Sequence, residues 1–334
     1  MRSIIFLLAL LLSSPGYTQG VLPPGELPLK VYVSFYIADI DGVNTAEQSF
    51  KARLFIRYRW QDIRNAHTGE APITQLLESI WHPNIHIINQ QKVQNTSSSQ
   101  AKIMPDGSVV YRQAIWGSFS QPLKLKDFPF DKQRFTFQLV SVGYSHDQIE
   151  FLGDPEEQGE FAFNMHPDPS LADWQVTGFH YKAAPFQPVH NLEMYNPGIA
   201  FSFEAERLIS YFVVKMILPL ILIVMMSWAV FWMDPLNVAG NVGISVTSML
   251  TLIAYRFSAD ATLPRLPYLT SLDYFILSST ILVFLSLLQN LTTSTLAKQG
   301  KLKQSHKLDI MCRIGFPLMF FLLTLETMVF RAIF

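Results

Sequence analysis

Gly240-Asn241-Val242-Gly243-Ile244-Ser245-Val246-Thr247-Ser248-Met249-Leu250-Thr251-Leu252-Ile253-Ala254-Tyr255-Arg256-Phe257-Ser258 is apolar enough to lie in a membrane, yet Ser245, Thr247, Ser248 and Thr251 interrupt it. Gly243, Thr247, Leu250, Ala254 and Phe257 recur at i, i+4, i+7, i+11 and i+14, which makes them one stripe of an α-helix. The stripe is small and hydroxylated at one end, then passes through Leu250 to Phe257. Hydroxyls gain a lone helix little in lipid. A ring of such helices lines a water-filled pore, in which a collar of Leu250 or Phe257 gates by dewetting. A helix inside a bundle, its Ser and Thr bonded to neighbouring helices, has the same periodicity. The pattern by itself leaves both readings open.

Three further apolar segments surround this one, at about 210–233, 268–290 and 310–333, each long enough for a span of about 20 residues. The linker 291–309 carries Lys298, Lys301, Lys303 and Lys307 against Asp309, the bias of a cytoplasmic loop. Four crossings then leave the N-terminal region and Phe334 outside. Residues 1–20 have the form of a signal peptide, in which Arg2 precedes a short apolar run, Ile4 to Leu12, broken by Ser13, Ser14, Pro15 and Gly16. This organisation predicts a multi-pass protein of the cell membrane (facing the periplasm, if bacterial) with membrane lipid as a partner.

Residues 21–206 read differently. Val31 to Ile37 is β-branched and aromatic. Between Arg53 and Trp60, Leu54, Ile56, Tyr58 and Trp60 alternate with Phe55, Arg57 and Arg59. Pro105-Asp106-Gly107 is a hairpin turn, Phe135 to Leu139 and Ile199 to Phe203 are further strands, and Gln94 to Gln100 is a polar loop. Short strands without an amphipathic helix predict an extracellular, all-β, immunoglobulin-like sandwich. The expectation is thus a multi-domain chain, with that sandwich over 21–206 and an all-α four-helix transmembrane bundle over 207–334, its second helix spanning about 240–258.

Composition narrows the function. Of 334 residues only 15% are charged and 49% are hydrophobic, with a net charge of -1, so a basic nucleic-acid surface is excluded. One cysteine, Cys312, excludes a disulfide framework. No metal-ligand spacing, nucleophile elbow or phosphate loop stands in the chain, so neither a cofactor nor an enzyme is expected. The rival reading is a membrane-anchored extracellular binding or sensor protein without a pore.

Phe128-Pro129-Phe130-Asp131 resembles the signature of the Cys-loop receptor superfamily, the pentameric ligand-gated ion channels. Animal members bracket it with two cysteines, and the corresponding Gln121 and Phe135 resemble the prokaryotic branch, close to the bacterial amine-gated channel. Trp81-His82-Pro83, the turn at Gly42 to Thr45, Pro219 with Ser227 to Trp232, and Arg265-Leu266-Pro267-Tyr268 follow the family in order.

The resemblance implies a homopentamer that binds a small-molecule agonist between subunits and passes ions along the second helix. The family's loop A and loop B aromatics fall at Ile88 and Val142, so an aromatic box for an amine is left with Phe55, Tyr144, Tyr181 and Tyr195. Phe55-Ile56-Arg57 resembles loop D of the glycine and GABA receptors, where Arg grips a carboxylate, and Arg112 supplies a second cation. An amine, an amino acid or a carboxylate is therefore the expected agonist class. Asp131, Arg207 and an acid of the first turn, Asp39 or Asp41, resemble the family's coupling cluster, with Val43, Asn44, Pro264 and Pro267 as the surface that slides.

The pore stripe is expected to end at Asp260. Ala239, Gly240 and Asn241 carry none of the glutamates of cation-selective members, and the anion members' Pro-Ala-Arg is also absent. Five copies of Asp260 favour monovalent cations, while Arg256 and Arg265 oppose that reading if they face the lumen. His82, His86, His146, His180 and His190 are groups through which pH can act.

Overall fold

The computed structural model describes residues 22–154, 163–188, 195–260 and 265–330. The signal-peptide reading, His190, Pro264 and Phe334 lie outside them.

Alternation of buried and exposed residues builds the first domain. Its strands are β1 (Leu29–Asn44), β2 (Ser49–Gln61), β3 (Ile73–Leu76), β4 (Ile85–Ile87), β5 (Gln90–Asn95) and β6 (Gln100–Ile103). They continue as β7 (Ser108–Ser120), β8 (Lys132–Ser141), β9 (Ile149–Gly153), β10 (Phe163–Met165), β11 (Trp174–Ala183) and β12 (Gly198–Arg207). One sheet runs β10-β1-β2-β7-β6-β3, with β9 also on β1 and β5 also on β7. The other runs β11-β12-β8-β4. In β2, Leu54, Ile56, Tyr58 and Trp60 face inward, as their spacing requires.

Phenylalanines fill the space between the sheets. Phe35 stacks on Phe201 at 4.6 Å, Phe135 stacks on Phe203 at 4.9 Å, and Phe50 meets Phe137 edge-on at 5.1 Å. Aromatic pairs at these separations add to the burial of their area. The hairpin turn at Pro105-Asp106-Gly107 joins β6 to β7. Gly107 has φ +84°, and a Cβ there would meet the Asp62 carbonyl oxygen at 2.7 Å, so glycine is required twice over.

Four helices long and apolar enough to cross a membrane follow: α1 (Ser210–Trp232), α2 (Val238–Asp260), α3 (Ser271–Lys298) and α4 (Leu302–Thr327). A widened π-type turn at Val213–Ile217 precedes Pro219, which lacks the N–H that the carbonyl four residues earlier would accept from. Thr270 begins α3 through a reciprocal cap. Its hydroxyl accepts from the Asp273 N–H at 3.2 Å, and the Asp273 carboxylate accepts from the Thr270 N–H at 2.8 Å.

The lysine-bearing linker at 291–309 is a correction. It is helix rather than loop: α3 runs to Lys298 and α4 starts at Leu302, leaving a short turn with Gly300 at φ +79°. Hydropathy marks where the apolar band ends, but a helix continues for as long as its backbone bonds are satisfied. Lysine favours that continuation by helix propensity, and Lys298 also by its place in the last turn of α3.

Candidate functional site

Phe55 and Arg57 project from β2 onto the face opposite the core, and Arg112 projects beside them from β7. Phe55, Arg57, Arg112, Ser34, Tyr36 and Asn164 line one cleft of about 390 Å³. The ladder sets Arg57 directly opposite Arg112. Like charges facing each other across strands repel. Asp154 relieves this on one side: Arg57 Nη2 donates to it at 3.0 Å and Arg59 Nη2 at 2.7 Å. Arg57 is therefore ion-paired within its own subunit, and the sequence holds no local sign of a partner 97 positions away. Arg112 is exposed and makes no hydrogen bond or ion pair among the described residues.

The aromatic candidates are not gathered with Phe55 in one chain. Tyr144 packs edge-on against Trp81 at 5.7 Å, and Trp81 in turn meets Trp60 at 6.2 Å. Tyr181 lies on β11, half exposed, 6.0 Å from the Phe201 ring. Tyr195 borders a second hollow with His146, Glu150 and Pro185. Ile88 and Val142 are partly exposed apolar residues where box walls would stand. His82 is half-buried, and that burial holds its imidazole below its ordinary pKa.

Where the two domains meet, Arg207 forms a bidentate pair with Asp131, at 2.7 Å from Nε and 3.1 Å from Nη2, with both side chains buried. Gln133 Nε2 donates to the same carboxylate at 2.6 Å. Arg207 also lies over the Trp174 ring at 4.1 Å and the Phe128 ring at 4.9 Å. Among the described residues the direct side-chain bonds of the first-turn acids go elsewhere than Arg207. Asp41 accepts from Trp116 Nε1 at 2.8 Å. Asp39 accepts from the Ser170 N–H and hydroxyl at 2.7 and 2.9 Å, and these bonds hold its carboxyl below the usual range. Val43 packs against the core, and Asp41 and Val43 border the hollow beside Arg207.

Contacts that the motif did not announce tie the Phe128-Pro129-Phe130-Asp131 loop to α3. The Ser271 N–H donates to the Lys126 carbonyl at 2.9 Å, and the Leu272 N–H to the Phe128 carbonyl at 3.2 Å. The Leu125 N–H donates to the Tyr268 hydroxyl at 3.3 Å. Free N–H groups at a helix start need acceptors, and the loop supplies them. Pro267 itself is exposed.

In α2, Gly243, Thr247, Leu250, Ala254, Phe257 and Asp260 are all exposed, Leu250 at 62% and Phe257 at 74%. Asn241, Ser245, Ser248, Leu252 and Ala259 form the opposite, buried face. The hydroxyls therefore divide. Ser245 and Ser248 turn into the bundle and bond the Asn241 and Ile244 carbonyls, and Asn290 of α3 reaches Ser245 at 3.4 Å. Thr247 and Thr251 stay on the outward side. The packed-helix account applies to the first pair, and only the second pair is available to a lumen. Asp260 has Arg256 one turn away at 4.0 Å.

Comparison with known families settles what carries this geometry. A model of the neurotransmitter-gated ion-channel ligand binding domain matches residues 6–209, and a model of the neurotransmitter-gated ion-channel transmembrane region matches residues 216–305.

The chain belongs to the neurotransmitter-gated ion-channel family.

It carries both modules of a ligand-gated channel and spans the membrane more than once; this family is not enzymatic. For a neurotransmitter-gated channel, the buried Asp131–Arg207 pair sits at the joint between ligand domain and helices. The cleft of Phe55, Arg57 and Arg112 sits on the ligand domain.

Proposed function

We propose that the chain forms a homopentameric channel of the cell membrane, opened by a small carboxylate or amino acid bound between subunits. The sandwich and both termini lie outside the cytoplasm, α2 lines the pore, and monovalent cations permeate. One observation carries the pore reading. The face of α2 turned away from its own bundle is the continuous stripe Gly243, Thr247, Leu250, Ala254 and Phe257, capped by exposed Asp260. Lipid would suit Leu250, Ala254 and Phe257 but offers nothing polar to the Thr247 hydroxyl and the Asp260 carboxylate on the same face, whereas five copies around an axis give them water. The match to the family's transmembrane region favours this over an anchored sensor without a pore.

For the agonist, the complementary cleft holds an exposed guanidinium and a half-exposed Phe55, while two walls of an amine box are aliphatic. Opposite faces of a subunit contribute to one interface in a ring, so Tyr144, Tyr181 and Tyr195 of one copy face Phe55 of the next. Arg112→Ala removes a charge-assisted bond worth about 1.5–3 kcal/mol. Apparent affinity for glycine, γ-aminobutyrate or succinate, whichever opens the channel, should fall about ten-fold or more. A loss of the same size for propylamine would show a general defect rather than an anion contact.

For selectivity, a helix turns about 100° per residue, which sets Asp260 about 80° from Leu250 and Arg256 about 120° away. The acid is the nearer of the two to the axis. Its ring is partly compensated by Arg256 and sits in a wet mouth screened over about 8 Å. Asp260→Asn should lower inward single-channel cation conductance, most at low salt, without reversing selectivity. A wild-type reversal at the chloride potential would overturn the cation reading. The whole proposal is tested by recording currents from purified protein in planar bilayers during a screen of amines, amino acids and carboxylates. Unitary currents gated by one of them are expected, and a silent bilayer containing intact pentamers would contradict it.

A further inference from the structure

Two cationic groups, Arg57 and Arg112, line the agonist cleft, with Arg59 two residues along the same face of β2, and register explains how they are managed. On β1, Ser34 lies opposite Arg57 and Tyr32 opposite Arg59. On the other side of β1, Val33 lies beside Gly153, and the Asp154 N–H donates to the Val33 carbonyl at 3.2 Å. The residue after β9 is thereby delivered across β1 to both arginines, which point the same way because they are two apart on a strand. The Asp154 side chain is 0% exposed, while those of Arg57 and Arg59 keep 22% and 20%. Arg59 is further fixed by the Tyr32 ring, 4.8 Å from its guanidinium carbon. A carboxylate this deeply buried persists only when paired and hydrogen-bonded.

From this we infer that Asp154 is a positioning residue of the agonist site. It locks Arg57 into the wall of the cleft, holds Arg59 beside it on the same face of β2 and cancels one of their two charges, which leaves Arg112 as the group that takes the carboxylate of the agonist. The inference rests on the proposed reading of this cleft as the agonist site, and it moves the anion contact from Arg57 to its cross-strand neighbour. Arg57 then presents a fixed edge beside Phe55, and the like-charge repulsion between Arg57 and Arg112 is relieved by Asp154 in the empty site and by the ligand in the filled one.

Guanidinium labelling of the intact channel in nanodiscs with p-hydroxyphenylglyoxal, read by peptide mass spectrometry, compares the three arginines directly and requires no agonist. Charge-assisted pairing should make Arg57 and Arg59 label about ten-fold more slowly than Arg112. Asp154→Asn should raise labelling of Arg57 and Arg59 towards the Arg112 rate and leave Arg112 unchanged. Millimolar glycine, γ-aminobutyrate or succinate should slow labelling of Arg112 alone. Equal wild-type rates at Arg57 and Arg112, or no change on Asp154→Asn, would overturn the clamp. Arg112 labelling indifferent to all three carboxylates would overturn its assignment as the anion contact. Arg112 protected in a pentamer that passes no current would overturn the channel reading alone. If Asp154→Asn fails to assemble, the wild-type rates and Asp154→Glu, which should keep the arginines slow, still decide.

Discussion

Asp131→Asn should abolish most assembled channel. The change leaves the Arg207 guanidinium buried without its bidentate carboxylate, in a cage of Trp174, Phe128 and Phe212. Breaking one side of a buried ion pair costs about 3–5 kcal/mol, a large part of the about 5–15 kcal/mol that holds a folded domain. The three aromatic faces hold the guanidinium before and after the change alike, so they do not replace the lost carboxylate. Surface biotinylation with size-exclusion chromatography measures the effect. The double variant Asp131→Asn, Arg207→Met should recover part of the assembled protein, because it removes the stranded charge. Normal pentamer yield from Asp131→Asn alone would show that the joint tolerates an unpaired Arg207.

Leu250→Ser should give the largest functional change. Leu250 stands midway along the exposed stripe of α2 and is 62% exposed within one subunit. A ring of five such side chains excludes water from a narrow pore, and five hydroxyls admit it. If each replacement favours the hydrated state by about 0.8 kcal/mol, roughly one buried methylene, the five together shift the closed–open balance by about 4 kcal/mol, near a thousand-fold. Spontaneous current, or activation at far lower agonist concentration, is the expected result. An unchanged concentration–response curve with normal surface expression would remove Leu250 from the lumen.

Much of this architecture is legible in the chain because it rests on periodicity. The alternation of Leu54, Ile56, Tyr58 and Trp60, the turn at Gly107 and the 3.6-residue stripe of α2 each encode one face or one bend locally. The Asp131–Arg207 pair is legible only through the family motif. What stays hidden is long-range pairing. Asp154 reaches Arg57 and Arg59 through the register of β9 on β1, and no spacing in the sequence encodes that. The family resemblance offers Asp39 or Asp41 as a further member of the Asp131–Arg207 cluster, and the bonds that Asp41 accepts from Trp116 and Asp39 from Ser170 are equally long-range and unmarked in the sequence. Ser245 and Ser248 resemble pore hydroxyls because composition does not say which side of a helix packs. Their positions about 140° and 160° from Leu250, at 100° per residue, separate them from Thr247.

The central claim is that the exposed face of α2 is the wall of an ion pathway. Cys312 is the chain's one cysteine, so Cys312→Ser gives a background for single cysteines along α2, combined with Leu250→Ser to supply current without an agonist. A charged methanethiosulfonate reagent should block the current when cysteine replaces Gly243, Thr247, Ala254 or Phe257, and leave it unaltered at Ser245, Ser248 or Leu252. Block at the second set with none at the first would contradict the account.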